Sequence, residues 1–348
     1  MLVRWLLIIG AMVIAGVGVS SCSSPGRFAD RNPYVTPKDT NAIDFFMMRW
    51  FGDDPWADQL QEYANNPDLV PQTALDLGVL LQPGTRPQIT WLGHATFLLQ
   101  YQGFNILTDP ILSERASPLS FAGPERLSPA PIRTADLPAI DIVVISHNHY
   151  DHLDEKTIAE LGSQVNYMVP LGLTEWFVEQ GIGAERVHEF DWWQQLNFGP
   201  VSVTATPSQH WSARSLFDKN ETLWASWHLD IGDWQVWFGG DTGYNPHQFK
   251  EIGARFPAID DALIPIGAYL PRWFMQPQHV DPAEALRIHQ DLGAKRSYAM
   301  HWGTYQLAAE SLQQTLNDLE AAQQQATSAA SQPLQILAIG ETRTSKPY

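Results

Sequence analysis

The chain has 348 residues, 44% of them hydrophobic, enough to bury a large core in one big domain or two modest ones. Its formal charge of −17 excludes binding to nucleic acid, or to an anionic lipid surface, through a general basic field. Any lipid contact must be apolar or local, and the 14 tryptophans decide nothing alone, because that side chain suits both cores and membrane interfaces.

Residues 1–21 have the shape of a signal peptide, with Arg4 followed by an uncharged run from Trp5 to Val19. The run ends Val19-Ser20-Ser21-Cys22, which resembles a bacterial lipobox. Cys22 is the single cysteine, so no disulfide can form within the chain, and lipidation at this residue is the expectation. An uncleaved membrane helix and an ordinary secretory signal are the other readings. Ser23 and Ser24 follow, with no aspartate beside the cysteine, as in lipoproteins sent to the outer membrane. The expected location is therefore the cell envelope, on the outer membrane facing the periplasm and held by the N-terminal lipid.

Residues 22–86 read as a lipid-anchored tether and a helical extension. The stretch 23–40 is rich in Ser, Pro, Asp and Asn, as linkers are. The apolar segment 43–51 predicts a short helix that packs on the main domain or lies in a membrane interface. Asp54-Pro55 predicts a cap and first residue for a helix over 56–63.

A catalytic domain is expected over 87–348. Paired strands are predicted at 89–101, and another within 104–110 that ends on Asp109. A buried strand over 140–145, almost all apolar and β-branched, runs into Ser146-His147-Asn148-His149-Tyr150-Asp151-His152-Leu153-Asp154. Asp154 predicts the cap of a helix over 155–161, stopped by Gly162. A strand over 165–169 and a helix over 173–180 follow. Strands over 201–206, 234–238 and 297–300 run into His210, Asp241 and His301. Asp281-Pro282 opens a helix that Gly293 stops, and a helix over 310–325 and a strand over 334–339 close the domain. No internal repeat of fixed period is visible.

Three imidazoles and a carboxylate within six positions, on a strand-to-helix loop, predict a metal site. Neutral imidazole and carboxylate are the donors zinc takes where a coordination position is left open for water. A polar loop that merely holds histidines is the plain alternative, but three further strand ends also deliver ligand-type residues.

The cluster, with His210, Asp241 and His301, resembles the two-metal hydrolase branch of the metallo-β-lactamase fold. The closer resemblance is to the phospholipase D family that hydrolyses N-acyl-phosphatidylethanolamines. It is carried by Trp91-Leu92-Gly93-His94-Ala95-Thr96, the 146–154 cluster, Ser208-Gln209-His210-Trp211, Gly240-Asp241-Thr242-Gly243-Tyr244, residues 264–275, Gln278-His279-Val280-Asp281-Pro282 and His301-Trp302-Gly303-Thr304. It implies an α/β fold, an αββα sandwich of two packed sheets flanked by helices.

The resemblance further implies two Zn2+ ions, one on His147, His149 and His210, the other on Asp151, His152 and His301, with Asp241 bridging. Such a pair, about 3.5 to 4 Å apart, stabilises the attacking and leaving oxygens of a displacement at phosphorus and acidifies a water. Asp151 and Asp241 are then both ligands and catalytic, and His279 is the candidate for assisting the leaving alkoxide. The implied substrate is a phospholipid, the products phosphatidic acid and an N-acylethanolamine. Relatives of this kind form homodimers, though no residue here marks an interface.

Asp109 is expected to orient a metal-binding histidine from behind, with His94 in a similar role. Tyr244 and Arg272 are the candidates for supporting contacts or for the substrate phosphate, although pairing with an acid is the commoner fate of an arginine in so acidic a chain. Trp211, Trp273 and Trp302 lie close in sequence to site residues. His188, His228, His247 and His289 are assigned to surface or core. Two other function classes remain open at this point: a two-metal hydrolase of a lactone or other small ester or phosphodiester, and a non-catalytic lipoprotein scaffold.

Overall fold

A computed structural model describes residues 26–34, 47, 49, 52, 55–215, 217–326 and 334–345. The expected signal peptide, Cys22 and most of segment 43–51 lie outside the described residues. Among the described residues no helix is long and apolar enough to cross a membrane.

Strands β1 (Gln88–Trp91), β2 (Phe97–Tyr101), β3 (Phe104–Thr108), β4 (Ile142–Val144), β5 (Asn166–Pro170) and β6 (Val187–Phe190) lie side by side in chain order in one sheet. The second sheet holds β7 (Gln195–Phe198), β8 (Val201–Thr206), β9 (Ser226–Ile231), β10 (Trp234–Phe238), β11 (Asp261–Pro265), β12 (Arg296–Met300) and β13 (Leu334–Gln335). The final strand β14 (Thr342–Thr344) returns to the first sheet and pairs with β1, so each sheet has seven strands. Both sheets follow one pattern: three antiparallel pairings, then three parallel ones. Strands β4, β5 and β11, parallel to both neighbours, are buried along their whole length, as expected for strands covered on both faces.

The space between the sheets is filled by Trp91, Phe97, Ile106, Val144 and Met168 from one side and Val203, Trp227, Leu229 and Val236 from the other. Helices cover the outer faces. In chain order they are α1 (Gln59–Asn65), α2 (Leu77–Leu81), α3 (Glu155–Leu161), α4 (Thr174–Glu179), α5 (Gln248–Arg255), α6 (Arg272–Met275), α7 (Pro282–Leu292) and α8 (Leu312–Gln325). Ile158 of α3 and Phe177 of α4 pack with Leu107, Val143, Tyr167 and Val169 on the outer face of the first sheet. Ile252 of α5 and Ala285, Ile288 and Leu292 of α7 join the core on the second. The expected αββα sandwich is what the chain adopts.

Local signals explain the ends of several elements. Asp154 caps α3 by accepting from Thr157 N–H, and Gly162 closes it at φ 66°. Asp281 and Glu284 form a full capping box at α7, with Pro282 in the first turn and Gly293 left-handed at the end. Other boundaries differ from expectation. The helix predicted over 56–63 begins at Gln59, because Asp58 is the residue whose side chain accepts from Gln61 N–H, while Ala57 N–H bonds Ala309 C=O. The closing strand predicted over 334–339 ends at Gln335.

The stretch before residue 87 is also less separate than a tether and extension would be. Phe28, inside the expected linker, is buried against Leu223 and Trp224. Leu69 and Val70 belong to the central core, Leu80 belongs to the outer core of the first sheet, and Gln72 bridges Ile339.

Candidate metal centre

Every residue expected as a ligand, with His94 and Asp109, sits where a strand stops. β1 runs into Gly93 and His94, β3 into Asp109, β4 into the 146–154 loop, β8 into His210, β10 into Asp241 and β12 into His301. Abrupt exits require unusual backbone: His94, Asp109 and His301 have φ of 52°, 31° and 60°. Gly240 has φ 54°, and a Cβ there would lie 2.4 Å from Ser146 Cβ, so only glycine lets the β10 exit approach the histidine loop. That loop is held from outside by Arg214, whose Nη1 donates to Asn148 C=O at 2.9 Å and Leu153 C=O at 2.8 Å. Its guanidinium covers the Tyr150 ring at 4.1 Å.

The donors fall into two groups. In one, single donor atoms of His147, His149 and His210 lie within 4.8 Å of one another. In the other, His94, Asp151, His152 and His301 meet the same limit. Asp241 touches both: its Oδ1 is 3.1 Å from His301 Nε2, and its Oδ2 is 3.2 Å from His152 Nε2 and 3.7 Å from His210 Nε2. Asp151 Oδ2 is 3.2 Å from both His152 Nε2 and His301 Nε2, and 3.0 Å from His94 Nε2. All seven residues expected as ligands therefore converge, and His94 stands beside them.

Hydrogen bonds on the far side of the rings decide which nitrogen faces inward. His152 Nδ1–H donates to Asp109 Oδ2 at 2.6 Å, leaving the Nε2 lone pair toward the centre. Ser146 Oγ–H donates to the same carboxylate and so accepts from His147 Nδ1–H at 2.8 Å. His210 Nδ1–H donates to Gln278 C=O at 3.0 Å. Asp109 thus backs His152 directly and His147 through Ser146. A third arrangement, Asp109 with His147 and His152, also satisfies the 4.8 Å limit, but Asp109 accepts from Ser146 N–H at 2.6 Å as well. Its lone pairs are committed to donors, which is the position of a buttress.

The electrostatics suit cations. Burial alone would raise the Asp151 and Asp241 carboxyls, yet the imidazoles around them hold both well below the usual carboxylate range. Burial pushes His147 and His210 well below the ordinary histidine value and His149 to about 4. It opposes the charged forms of His152 and His301 too, but Asp241 and Asp151 overcome it and lift His301 to about 9. A metal taking His152 and His301 as ligands must displace any proton on their inward nitrogens. His149 Nδ1 lies 2.8 Å from His147 Nε2 and 3.3 Å from His210 Nε2, so three ring nitrogens crowd together. Ring nitrogens and carboxylate oxygens gathered this closely suit a cation.

Residues 104–302 match the family model described as a β-lactamase superfamily domain. The chain belongs to that superfamily. A N-acyl-phosphatidylethanolamine-hydrolyzing phospholipase D of Caenorhabditis elegans is 44% identical over 226 residues, 62% of this chain and 64% of the worm protein. The mitochondrial protein of that name from Saccharomyces cerevisiae is 37% identical over 229 residues, 64% of this chain and 48% of its own length. The match therefore spans less than two thirds of either relative. Igni18, a metallo hydrolase of Ignicoccus hospitalis, shares the fold with a TM-score of 0.56 at 19% identity, covering 75% of this chain and 99% of its own.

Within this β-lactamase superfamily domain, Tyr244 points away from the centre and Arg272 is paired with an acid. Tyr244 donates to Asp291 Oδ2 at 2.9 Å and stacks on Phe249, so its hydroxyl serves the α5–α7 packing. Arg272 is spent on Glu284 Oε2 at 2.6 Å and His279 C=O at 2.9 Å, supporting the loop that carries His279. His279 itself reaches the centre, with Nδ1 3.9 Å from Asp241 Oδ2. His228 stacks on Phe256 and His289 bonds Ser297, each away from the centre as expected. Trp211 meets the His149 ring edge-on at 4.4 Å, and Trp302 stacks on Trp91 at 6.2 Å. Arg214 had no sequence signal: nothing in the stretch 211–222 marks it as the clamp of a loop some 60 residues earlier.

Proposed function

We propose that the chain is a zinc-dependent phosphodiesterase of the phospholipase D type, hydrolysing N-acyl-phosphatidylethanolamine to phosphatidic acid and an N-acylethanolamine. The observation that carries this reading is Asp241, one carboxylate shared between two donor groups. The relatives named for that reaction support the substrate class.

His147, His149 and His210 would hold one ion, and Asp151, His152 and His301 the other. When bound, such a pair polarises a phosphoryl oxygen and acidifies a water toward a pKa of roughly 7. His94 leans on Asp151, which leaves His279 as the polar group beside Asp241 not assigned to an ion. Burial pushes its ring down to about 4, so it is neutral at pH 7, and its buried Nδ1 has no partner among the described residues. In this reading it contacts the phosphoryl group or the departing amino-alcohol oxygen. Trp273, 63% exposed on α6 beside that loop, and Phe217, 92% exposed on the loop after His210, offer apolar surface suited to acyl chains. Lipidation at Cys22, with the chain held at the outer membrane facing the periplasm, completes the proposal. Loss of radiolabelled palmitate from Cys22→Ala tests that part.

The deciding experiment supplies vesicles of N-acyl-phosphatidylethanolamine, vesicles of plain phosphatidylethanolamine, and a soluble lactone, with products read by mass spectrometry. Phosphatidic acid and N-acylethanolamine from the first, absent with Asp241→Asn, are expected. Lactone turnover without any phosphatidic acid would overturn the assignment.

A further inference from the structure

We propose that Gln59, Trp302 and Glu310 hold one ordered water behind His301, and that this water fixes which ring nitrogen of His301 faces the metals. The inference rests on His301 being a ligand, as assigned above.

Three of the inward-facing rings have a partner on their outer nitrogen: Ser146 for His147, Asp109 for His152 and Gln278 C=O for His210. His301 presents Nε2 to Asp151 and Asp241, but its buried Nδ1 meets no hydrogen-bonding group of the described chain. Metal-binding imidazoles nearly always have such a partner.

The ring borders a cavity with about 10 Å³ of room for a water centre, lined also by Gln59, Trp302, Glu310 and Thr315. That is close to the space one water needs. Two more buried polar atoms on the lining residues lack a partner among the described residues, Trp302 Nε1 and Gln59 Oε1. The Gln59 amide cannot simply be turned round, because its Nε2 donates to Glu310 C=O at 2.7 Å. A water here accepts from Trp302 Nε1–H and His301 Nδ1–H and donates to Gln59 Oε1 and the Glu310 carboxylate. All four of its bonds are then used, and a buried water typically makes two to four.

Glu310 is fixed by independent contacts. Its Oε1 accepts from Ala268 N–H at 2.6 Å and its Oε2 from Leu270 N–H at 3.0 Å. The neighbouring Gly267 lies so close that a Cβ would fall 2.1 Å from His301 C=O. One carboxylate therefore sets both the turn that seats the His301 backbone and one wall of the water site. Gln59 and Glu310 both lie outside the matched residues 104–302. The flanks of the superfamily domain, α1 included, would thus reach the metal centre.

The test uses the full chain loaded with metal, comparing wild type, Trp302→Phe and Gln59→Leu. Each metal equivalent is titrated against a chelator. In the cobalt-substituted protein, the shifted exchangeable proton of His301 Nδ1–H is followed by NMR. Each variant is expected to weaken one equivalent by about 10- to 100-fold, leave the other within about twofold, and speed exchange of that proton. Wild-type affinity for both equivalents in both variants, or equal weakening of both with a lowered melting temperature, would overturn the proposal. A wild-type protein that binds fewer than two equivalents would sink the ligand assignment, and the water site with it.

Discussion

Asp109→Asn tests how the centre is braced, because one carboxylate stands behind both groups of donors. The aspartate accepts from three donors: Ser146 N–H at 2.6 Å, Ser146 Oγ–H, and His152 Nδ1–H at 2.6 Å. An asparagine of the same shape has one oxygen to offer, and its NH2 must face a donor. At least one charge-assisted bond, worth about 1.5 to 3 kcal/mol, is lost at a fully buried position. His152 feels the loss directly and His147 feels it through Ser146, so one ligand of each group is loosened. Losing a supporting partner typically costs about 10- to 100-fold in metal affinity, or about 1.4 to 2.7 kcal/mol, the same size as the lost bond. The expected result is that both metal equivalents weaken by such a factor, measured by chelator competition, with the fold checked by circular dichroism. Weakening confined to one equivalent, or none in a folded protein, would refute the bracing argument.

Arg272→Ala should lower the melting temperature through loss of about 1 to 2 kcal/mol at the α7 cap. KM for a phosphodiester should stay within about twofold, and a tenfold rise without loss of stability would return Arg272 to the substrate. Gly267→Ala forces a Cβ into backbone 2.1 Å away, and a cost of about 3 kcal/mol in urea unfolding is expected. A midpoint matching wild type would contradict the close approach. His228, pushed by burial to about 4, stays neutral in the fold while the unfolded chain takes up a proton below pH 6.5. Its contribution to stability is therefore lost as pH falls from 6.5 toward 4. His228→Phe should lose about 2 kcal/mol less than wild type between pH 7 and 4.5 in urea titrations, and parallel losses would argue against it.

Much of this architecture was legible from local signals. β8 and β10 have the predicted bounds because both are apolar, β-branched or aromatic runs bounded by turn residues. Strands β7, β9 and β11 escaped. Gln195–Phe198 is a half-exposed edge, Ser226–Ile231 mixes His and Asp into its pattern, and Asp261–Pro265 begins on an acid and ends on a proline. Helix α5 escaped because His247 makes no side-chain cap there. The candidate ligands were legible because metal chemistry uses few residue types, here gathered at strand ends. Tyr244 was misread because nearness in sequence to Asp241 says nothing about where a side chain points, whereas Arg272 met the acid pairing that the composition favours. Gln59 and Glu310 gave no warning at all, since a partner 251 positions away leaves no local pattern.

The repeated pairing pattern of the two sheets has a mechanical consequence. The chain passes from the first sheet to the second between β6 and β7, returning only for β14, and each donor group draws residues from before and after the first crossing. His147 and His149 come from the first half and His210 from the second, while Asp151 and His152 are joined by His301. Bound cations would act as rivets across the seam. A chelator that strips them would then slacken the joint between the halves as well as silence the chemistry. Conversely, two fragments cut between β6 and β7 would each carry an incomplete grip that only the other can close.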